Sequence, residues 1–392
     1  MPERASTPAL YERAILWVAH APLLWQRVGG MSVLERQLFT AARAGIKSVW
    51  IGMHAPAEDV LDRLRIPPGL DIRWVPKGDA SLVECEPPYL GLSADHFIRV
   101  ETLAHVARQS YRESVSFNDA SGLGVIQVVL AREDVISRAK QELPAGAYRR
   151  LEAPLAAEET ISWLMAAGPK SQDGFMARHF DRHISLAVSR QLLETSVTPN
   201  KMTLFSTLLG LAGAAFFLGA SRAAYVPGAL LVWLHSVLDG CDGELARVRF
   251  QESAFGSDLD FWGDNVVHLA LFTCLGVGFW RTGNGAHTLV LAAVADLGVV
   301  ASAATAWQHR RRHRAVSAPE AGVTDGESKL AKLENSLAQR DFIYLLVLLA
   351  MVDCVYEFLW AAAIGGLLYF GIMLYLRRVN DNEQARQPYP AR

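Results

Sequence analysis

The spacing of apolar residues changes character about halfway along the chain. Up to about residue 169, short apolar runs alternate with charged and turn-forming residues. Runs at 14–18, 48–52, 71–75, 89–93 and 125–130 read as strands. Residues 32–44, 57–64, 100–109 and 134–142 read as helices, the first closed by Gly45. Strands alternating with helices predict a three-layer α/β domain around a mostly parallel sheet. The run 14–25 holds His20 and Pro22 and follows Glu3 and Glu12 rather than a basic stretch. It therefore reads as a buried strand and not as a signal peptide.

Beyond residue 199 long apolar segments dominate. A membrane helix needs about 20 mainly apolar residues, and six are predicted near 199–220, 223–248, 254–280, 287–307, 341–358 and 359–376. Together they predict an all-α membrane domain over 199–378, followed by a tail at 379–392. Residues 170–198 form a bridge in which Asp173 is placed to cap an amphipathic helix. Phe175, Met176, Phe180, Ile184, Ala187 and Val188 fall near one face, and Arg178, His179, Arg182, His183 and Arg190 mostly elsewhere. Such a helix is expected along the membrane surface, its basic residues near anionic headgroups or near a phosphorylated substrate. The polar stretch 316–337 reads as a connector, with a helical portion at 328–339.

One acidic stretch interrupts the apolar pattern. Asp239 and Asp242 end one apolar segment, and Gly256, Asp260 and Asp264 open the next. Helical spacing places each set on one face of its helix, with Ala246 on the face of the first. A carboxylate at membrane depth costs roughly 2.5–3.5 kcal/mol on insertion scales, and four facing one another also repel. A positive group must sit among them, and an all-oxygen donor set favours Mg²⁺, Mn²⁺ or Ca²⁺ over Zn²⁺. Helix capping alone needs one carboxylate per helix, not paired sets in register. Asp258 and Glu244 lie off these faces and are expected to meet solvent. Cys241 lies between the acids but points away. His235, four residues before Asp239, is open between a group that supports the ligands and an ordinary polar residue of a bundle interior.

Charge and cysteine content narrow the alternatives. With 38 Lys and Arg against 40 Asp and Glu, the formal net charge is −2, whereas a general nucleic-acid binder carries a basic surplus. Cys85, Cys241, Cys274 and Cys354 are scattered without a CxxC pair, which indicates neither a disulfide framework nor a zinc site. Basic residues gather at Arg247 and Arg249, at 310–312 with Arg314, and at Arg377 and Arg378. The connections after the first, third and fifth spans hold only Arg222 and Arg281. The positive-inside rule then predicts a multi-pass inner (plasma) membrane protein with both termini, the α/β domain and the acidic motif cytoplasmic.

Asp239, Asp242, Gly243, Ala246, Arg247, Gly256, Asp260 and Asp264 fit the signature of the CDP-alcohol phosphotransferase family, which the chain resembles from about residue 199 to 378. The resemblance implies transfer of a substituted phosphoryl group from a CDP-linked donor to an acceptor hydroxyl, with release of CMP. It also implies two Mg²⁺ or Mn²⁺ ions on Asp239, Asp242, Asp260 and Asp264, and a homodimer. By the same resemblance Asp264 doubles as general base; one turn deeper than Asp260, it is the carboxylate expected in the drier setting, which favours its taking a proton. Gly243, Ala246, Arg247, Gly256, Asn200 and Thr203 are implied to border the CDP donor. Small residues at 243 and 246 admit the flat nucleoside, Arg247 balances phosphate charge, and Gly256 lets the second and third spans pack tightly. The donor is left open between CDP-diacylglycerol and a CDP-inositol-like compound, and the acceptor between an alcohol and its phosphate. The competing expectation, from a different class, is a non-enzymatic membrane scaffold or transporter that retains a metal site. Transporters tend to show broken helices and an internal repeat, and no repeat is visible.

The first domain resembles a Rossmann-like sugar-phosphate nucleotidyltransferase, of the type found fused to such phosphotransferases. The likeness rests on residues 29–36 (Gly-Gly-Met-Ser-Val-Leu-Glu-Arg), on Ala44-Gly45-Ile46, and on Ala94-Asp95-His96. An active member places a Gly-rich loop after the first strand, where backbone N–H groups meet nucleotide phosphates. Here residues 20–27 contain no glycine. The resemblance therefore implies a degenerate domain over 1–169 that docks, dimerises or regulates, with Asp95 as a relic of a metal ligand. The junction from Asp173-Gly174 through Arg178, Arg182, Ser185 and Thr198-Pro199-Asn200 is similar to that of the fused enzymes.

Overall fold

A computed structural model describes residues 10–76, 85–131, 139–152, 154–166, 180–316 and 342–386, and the chain divides into two compact units near residue 167. In the first unit the elements run β1 (Arg13–Trp17), α1 (Ala21–Leu24), β2 (Arg27–Val28), β3 (Met31–Ser32), α2 (Val33–Arg43), β4 (Ser48–Ile51), α3 (Glu58–Leu61), β5 (Asp71–Trp74) and β6 (Tyr89–Ser93). They continue with β7 (His96–Ile98), α4 (Val100–Arg108), β8 (Val115–Asn118), β9 (Gly124–Val129), β10 (Ala139–Glu142), β11 (Tyr148–Arg150) and α5 (Ala157–Met165).

The helix α2 begins as its sequence dictates. Ser32 Oγ accepts from the Glu35 N–H at 3.2 Å while the Glu35 carboxylate accepts from the Ser32 N–H at 2.7 Å, a reciprocal cap. It ends at Gly45, whose φ of 96° only glycine adopts freely. The main sheet has the order β10-β8-β9-β6-β1-β4-β5. Four of its six pairings are parallel, β10 with β8 and the run β6-β1-β4-β5, as expected of a mostly parallel sheet, while β9 runs against both β6 and β8. The cause is a tight reversal after β8. Asp119 Oδ1 accepts from the N–H groups of Ser121 and Leu123, and Gly122 takes a φ of 85°. Residues 139–142, expected as the end of a helix, form β10 beside β8, and the rest of that predicted helix lies mostly outside the described residues. The helix expected over 57–64 is reduced to α3.

The second unit holds α6 (Arg182–Leu192), α7 (Pro199–Phe216), α8 (Arg222–Val248), α9 (Ala254–Arg281), α10 (His287–Val316), α11 (Phe342–Met351) and α12 (Val355–Arg386). Within these helices, 199–219 (extending α7), α8, 287–308 and 355–372 are long and apolar enough to cross a membrane. The three aspartates in its first half set α9 apart from these, and α11 is apolar but has 10 described residues. The expected boundary between the fifth and sixth spans moves from 358 to 352–354. Asp353 has a φ of 62° and the Cys354 N–H bonds back to Leu349 O at 2.8 Å, which ends α11 early.

Of the bridge, α6 is the described helix; Asp173, Phe175, Met176, Arg178 and His179 lie outside the described residues, as does 328–339. Phe180 and Ile184 are exposed, while Ser185 and Ser189 form the face against α8. Arg249, counted above among the basic residues that set the orientation, is buried. Its guanidinium donates to the carbonyls of Leu192, Leu193, Thr195 and Val197, gathering the α6–α7 link under the end of α8. These carbonyls are orphans of a helix end, and one planar cation satisfies several at once.

A buried polar chain crosses the first unit. His96 Nδ1 lies 3.0 Å from Ser93 Oγ and its Nε2 lies 3.3 Å from Asp119 Oδ2. Burial pushes the His96 pKa below 6.5 despite the Asp119 hydrogen bond. Burial alone would raise Asp119, but bonds from Ser121, Leu123 and His96 bring it down to about 2. In both cases the unfolded chain takes up protons first as pH falls, so this stability is complete above about 6.5 and declines below it. Hydrogen exchange of the 89–118 amides in the full chain, corrected for intrinsic rate, is expected to increase between about pH 7 and pH 5. His96→Gln should remove most of that increase; an equal increase in the variant would assign it elsewhere.

Candidate functional site

The acidic residues stand on two helices, as the spacing predicts, and a third helix, α7, packs against both. Asp239 and Asp242 belong to the buried face of α8, and Asp260 and Asp264 to α9. Carboxylate oxygens of Asp239, Asp260 and Asp264 lie within 4.8 Å of one another, Asp239 buried and the others half-buried. Three hard anionic oxygens at that spacing suit a divalent cation of the oxygen-seeking type and match no soft metal. Asp242 stands slightly apart: its Oδ2 accepts a short hydrogen bond from Thr203 Oγ1 of α7.

The helix α7 packs against both α8 and α9. Along one of its faces run Asn200, Thr203, Thr207 and Gly210, and each meets the acidic helices. A Cβ at Gly256 would lie 2.9 Å from Asn200 Oδ1, and one at Gly263 would lie 2.6 Å from Thr207 Oγ1. A Cβ at Gly210 would stand 2.8 Å from both His235 Cγ and the Val267 methyls. The expectation that Gly256 lets the second and third spans close on each other is therefore corrected: Gly256 admits a side chain of the first span. A cleft between α8 and α9 is kept, with α7 along it.

Arg247 is exposed, and its guanidinium lies over Gly243, where a Cβ would meet Nη1 at 3.2 Å. Ala246 is half-buried. Glu244, expected in solvent, is half-buried and accepts from Ser185 Oγ of α6 at 3.0 Å. The solvent reading failed because it counted only α8 and α9, and α6 covers that side. Cys241 does point away from the acids, its Sγ 3.5 Å from Ser185 O. His235 is buried, with Nε2 3.6 Å from Asp264 Oδ1. Thr207 and Gly263 were missed in the sequence; the signal was there in the i, i+3, i+7 spacing of polar residues from Asn200 along an otherwise apolar helix.

Comparison with known proteins agrees with this geometry. Residues 196–374 match the CDP-alcohol phosphatidyltransferase family, and this segment is a domain of that family. The chain is 27% identical over 233 residues to the "Bifunctional IPC transferase and DIPP synthase" of Aquifex aeolicus, covering 55% of this chain and 48% of that protein. It is 43% identical over 95 residues, 24% of this chain and 21% of the other, to the protein of the same name from Thermococcus kodakarensis. To "Phosphatidylinositol phosphate synthase" of Mycobacterium marinum it is 23% identical over 205 residues, covering 52% of this chain and 84% of that one. The chain thus spans about half the length of the first of these relatives.

Removing the Thr203 hydroxyl while keeping its shape isolates the bond to Asp242. Thr203→Val is expected to weaken Mn²⁺ binding by roughly tenfold, the lower end for loss of a group that supports a metal ligand. Titration of the detergent-solubilised protein with Mn²⁺ measures this, and an unchanged affinity would show that the Thr203 hydroxyl does not support a metal ligand.

Proposed function

We propose that the chain is an integral-membrane CDP-alcohol phosphotransferase. The observation that carries the reading is the meeting of Asp239, Asp260 and Asp264 across two helices, inside a segment that matches this family. We read the membrane unit as six spans, with α9 and α11 completing the four that are apolar enough alone. Both termini and the acidic cleft are assigned to the cytoplasmic side of the inner membrane, where a CDP-linked donor is available. A homodimer accords with the same family reading.

Asp239, Asp242, Asp260 and Asp264 would hold one or two divalent ions, Mg²⁺ or Mn²⁺. Bound there, such ions neutralise the donor diphosphate and the charge gathering on departing CMP. The chain's own groups divide the remaining work. Asp264 takes the proton of the acceptor hydroxyl as its oxygen bonds to the phosphorus that bears the donor alcohol. The bond from that phosphorus to the bridging oxygen breaks, and CMP leaves with the electron pair. Arg247, lying over Gly243 at the rim, faces the diphosphate, and Ala246 and Gly243 leave room for the nucleoside. Thr203 holds Asp242, and Asn200 borders the donor beside Gly256. The donor is CDP-diacylglycerol or a CDP-inositol-like compound, and the acceptor an alcohol or its phosphate. Relatives named phosphatidylinositol phosphate synthase and IPC transferase favour an inositol phosphate.

The first unit is read as a Rossmann-like nucleotidyltransferase-type domain that has lost its chemistry. Its β1 leads into α1, with Pro22 in the first turn, where a phosphate-binding glycine loop would be needed. Asp95, 3.6 Å from His20 Nδ1, remains as a relic of a metal ligand.

Purified full-length protein with Mn²⁺ or Mg²⁺ is expected to release CMP from CDP-diacylglycerol or CDP-inositol when inositol phosphate is supplied. Chelation should stop release, and Asp264→Asn should lower it by at least about 10³-fold, the order expected for general-base and metal functions lost together. Turnover unchanged in that variant would refute the assignment. The same preparation given CTP and a sugar or inositol phosphate should yield no pyrophosphate; its appearance would show the first domain active.

A further inference from the structure

The acidic cleft contains one buried group to which the mechanism above gives no task. His235 lies one turn before Asp239 on α8, is 3% exposed, and directs Nε2 at Asp264 Oδ1 across the cleft at 3.6 Å. Its ring occupies a slot that depends on the absence of a side chain at Gly210, since a Cβ there would stand 2.8 Å from His235 Cγ. Val267 of α9 closes the slot beside Gly210, its methyls 2.8 Å from the same position. An imidazole in a bundle interior costs free energy unless its polar atoms are used, and an apolar residue would fill the slot more cheaply. What the slot achieves is orientation: it holds the ring with Nε2 toward Asp264 of α9.

We propose that His235 is a positioning residue for Asp264, its Nε2–H held against Oδ1 so that the carboxylate keeps the rotamer shared with Asp239 and Asp260. At 3.6 Å the two atoms are in contact, slightly beyond hydrogen-bond distance. The role is orientation of a ligand and involves no proton transfer. It rests on the reading of the acidic cluster as a metal site, and goes beyond it by bringing a residue outside the family motif into the site. Thr203 on Asp242 and His235 on Asp264 then form a matched pair, one acid on each helix being held by a neighbour.

The test is Mn²⁺ binding by the full chain in detergent, followed by electron paramagnetic resonance of free Mn²⁺ with no donor or acceptor present. His235→Ala is expected to raise the dissociation constant about 10–100-fold, the range for loss of a group that orients a ligand. His235→Gln keeps an N–H where Nε2 stands and should bind within about threefold of the parent. His235→Asn places its N–H nearer the Nδ1 position and should lose at least about tenfold. This pair decides the matter even if the alanine variant fails to fold, because a purely structural histidine would not separate Gln from Asn in this direction. Equal affinity of all variants and the parent overturns the proposal, as does equal loss in Gln and Asn. Asp239→Asn separates the two levels: if it leaves Mn²⁺ binding intact, the metal reading itself fails; if it abolishes binding while His235→Ala does not weaken it, only the role of His235 fails.

Discussion

Mutual repulsion among carboxylates is the constraint around which the membrane unit is arranged. Two unit charges 4.8 Å apart, the outer limit for Asp239, Asp260 and Asp264, repel by roughly 3–4 kcal/mol at an effective dielectric of 20. Each added acid multiplies that term, and helices of L-residues could relieve it simply by rotating the acids apart. They are prevented from doing so by packing on their opposite sides. Along α8, the acids share a buried face with His235 and Leu238, and the opposite flank is held by α6 through Ser185. The packing therefore retains the repulsion, and a cation among the acids would relieve it.

Close approach between backbones maintains that geometry. Gly256 and Gly263 on α9 receive Asn200 and Thr207, Gly210 receives the His235 ring, and Gly213 and Gly228 let α7 and α8 touch main chain to main chain, a Cβ on either lying 2.9 Å from the other's carbonyl oxygen. At the far end, a Cβ at Gly278 would come within 2.2 Å of Phe217 O. With lipid as solvent there is little hydrophobic drive between helices, so van der Waals contact of this kind supplies the cohesion. The first helix of the bundle acts as a spacer: it sets the width of the cleft between the two helices that carry the acids.

Much of this was legible in the sequence, and the failures have physical causes. The paired acids announced themselves because a 3.6-residue period and a membrane depth are both local properties. The β1, α2, β4, β5 and β6 succession was likewise readable from alternation, capping box and Gly45. Contacts were not: Arg249 looked like one more interfacial cation, and Glu244 like one more solvated acid, because each is buried by α6, forty or more residues earlier in the chain. The antiparallel β9 was hidden for a different reason. Residues 115–118 are too short and too mixed to read as a strand, although the Asn-Asp-Ala-Ser-Gly turn that follows is a hairpin signal. The fifth span was overestimated because apolar content continues through Val352 while the backbone turns left-handed at Asp353.

The two halves of the acidic motif are close in sequence, and that closeness has a structural consequence. Between α8 and α9 the chain has only residues 249–253 in which to reverse. Phe250 does so with a φ of 52°, and Ser253 Oγ accepts the Gly256 N–H at 2.9 Å to start the next helix. Arg249 fixes this reversal to the carbonyls that end α6 and precede α7. One guanidinium thus joins the bridge helix, the spacer helix and the acidic hairpin at a single point. A second bond, from Ser185 Oγ to Glu244, ties α6 to the last turns of α8. The bridge helix is therefore tied by hydrogen bonds to the end of α8 and to the residue that begins the reversal between the two acid-bearing helices.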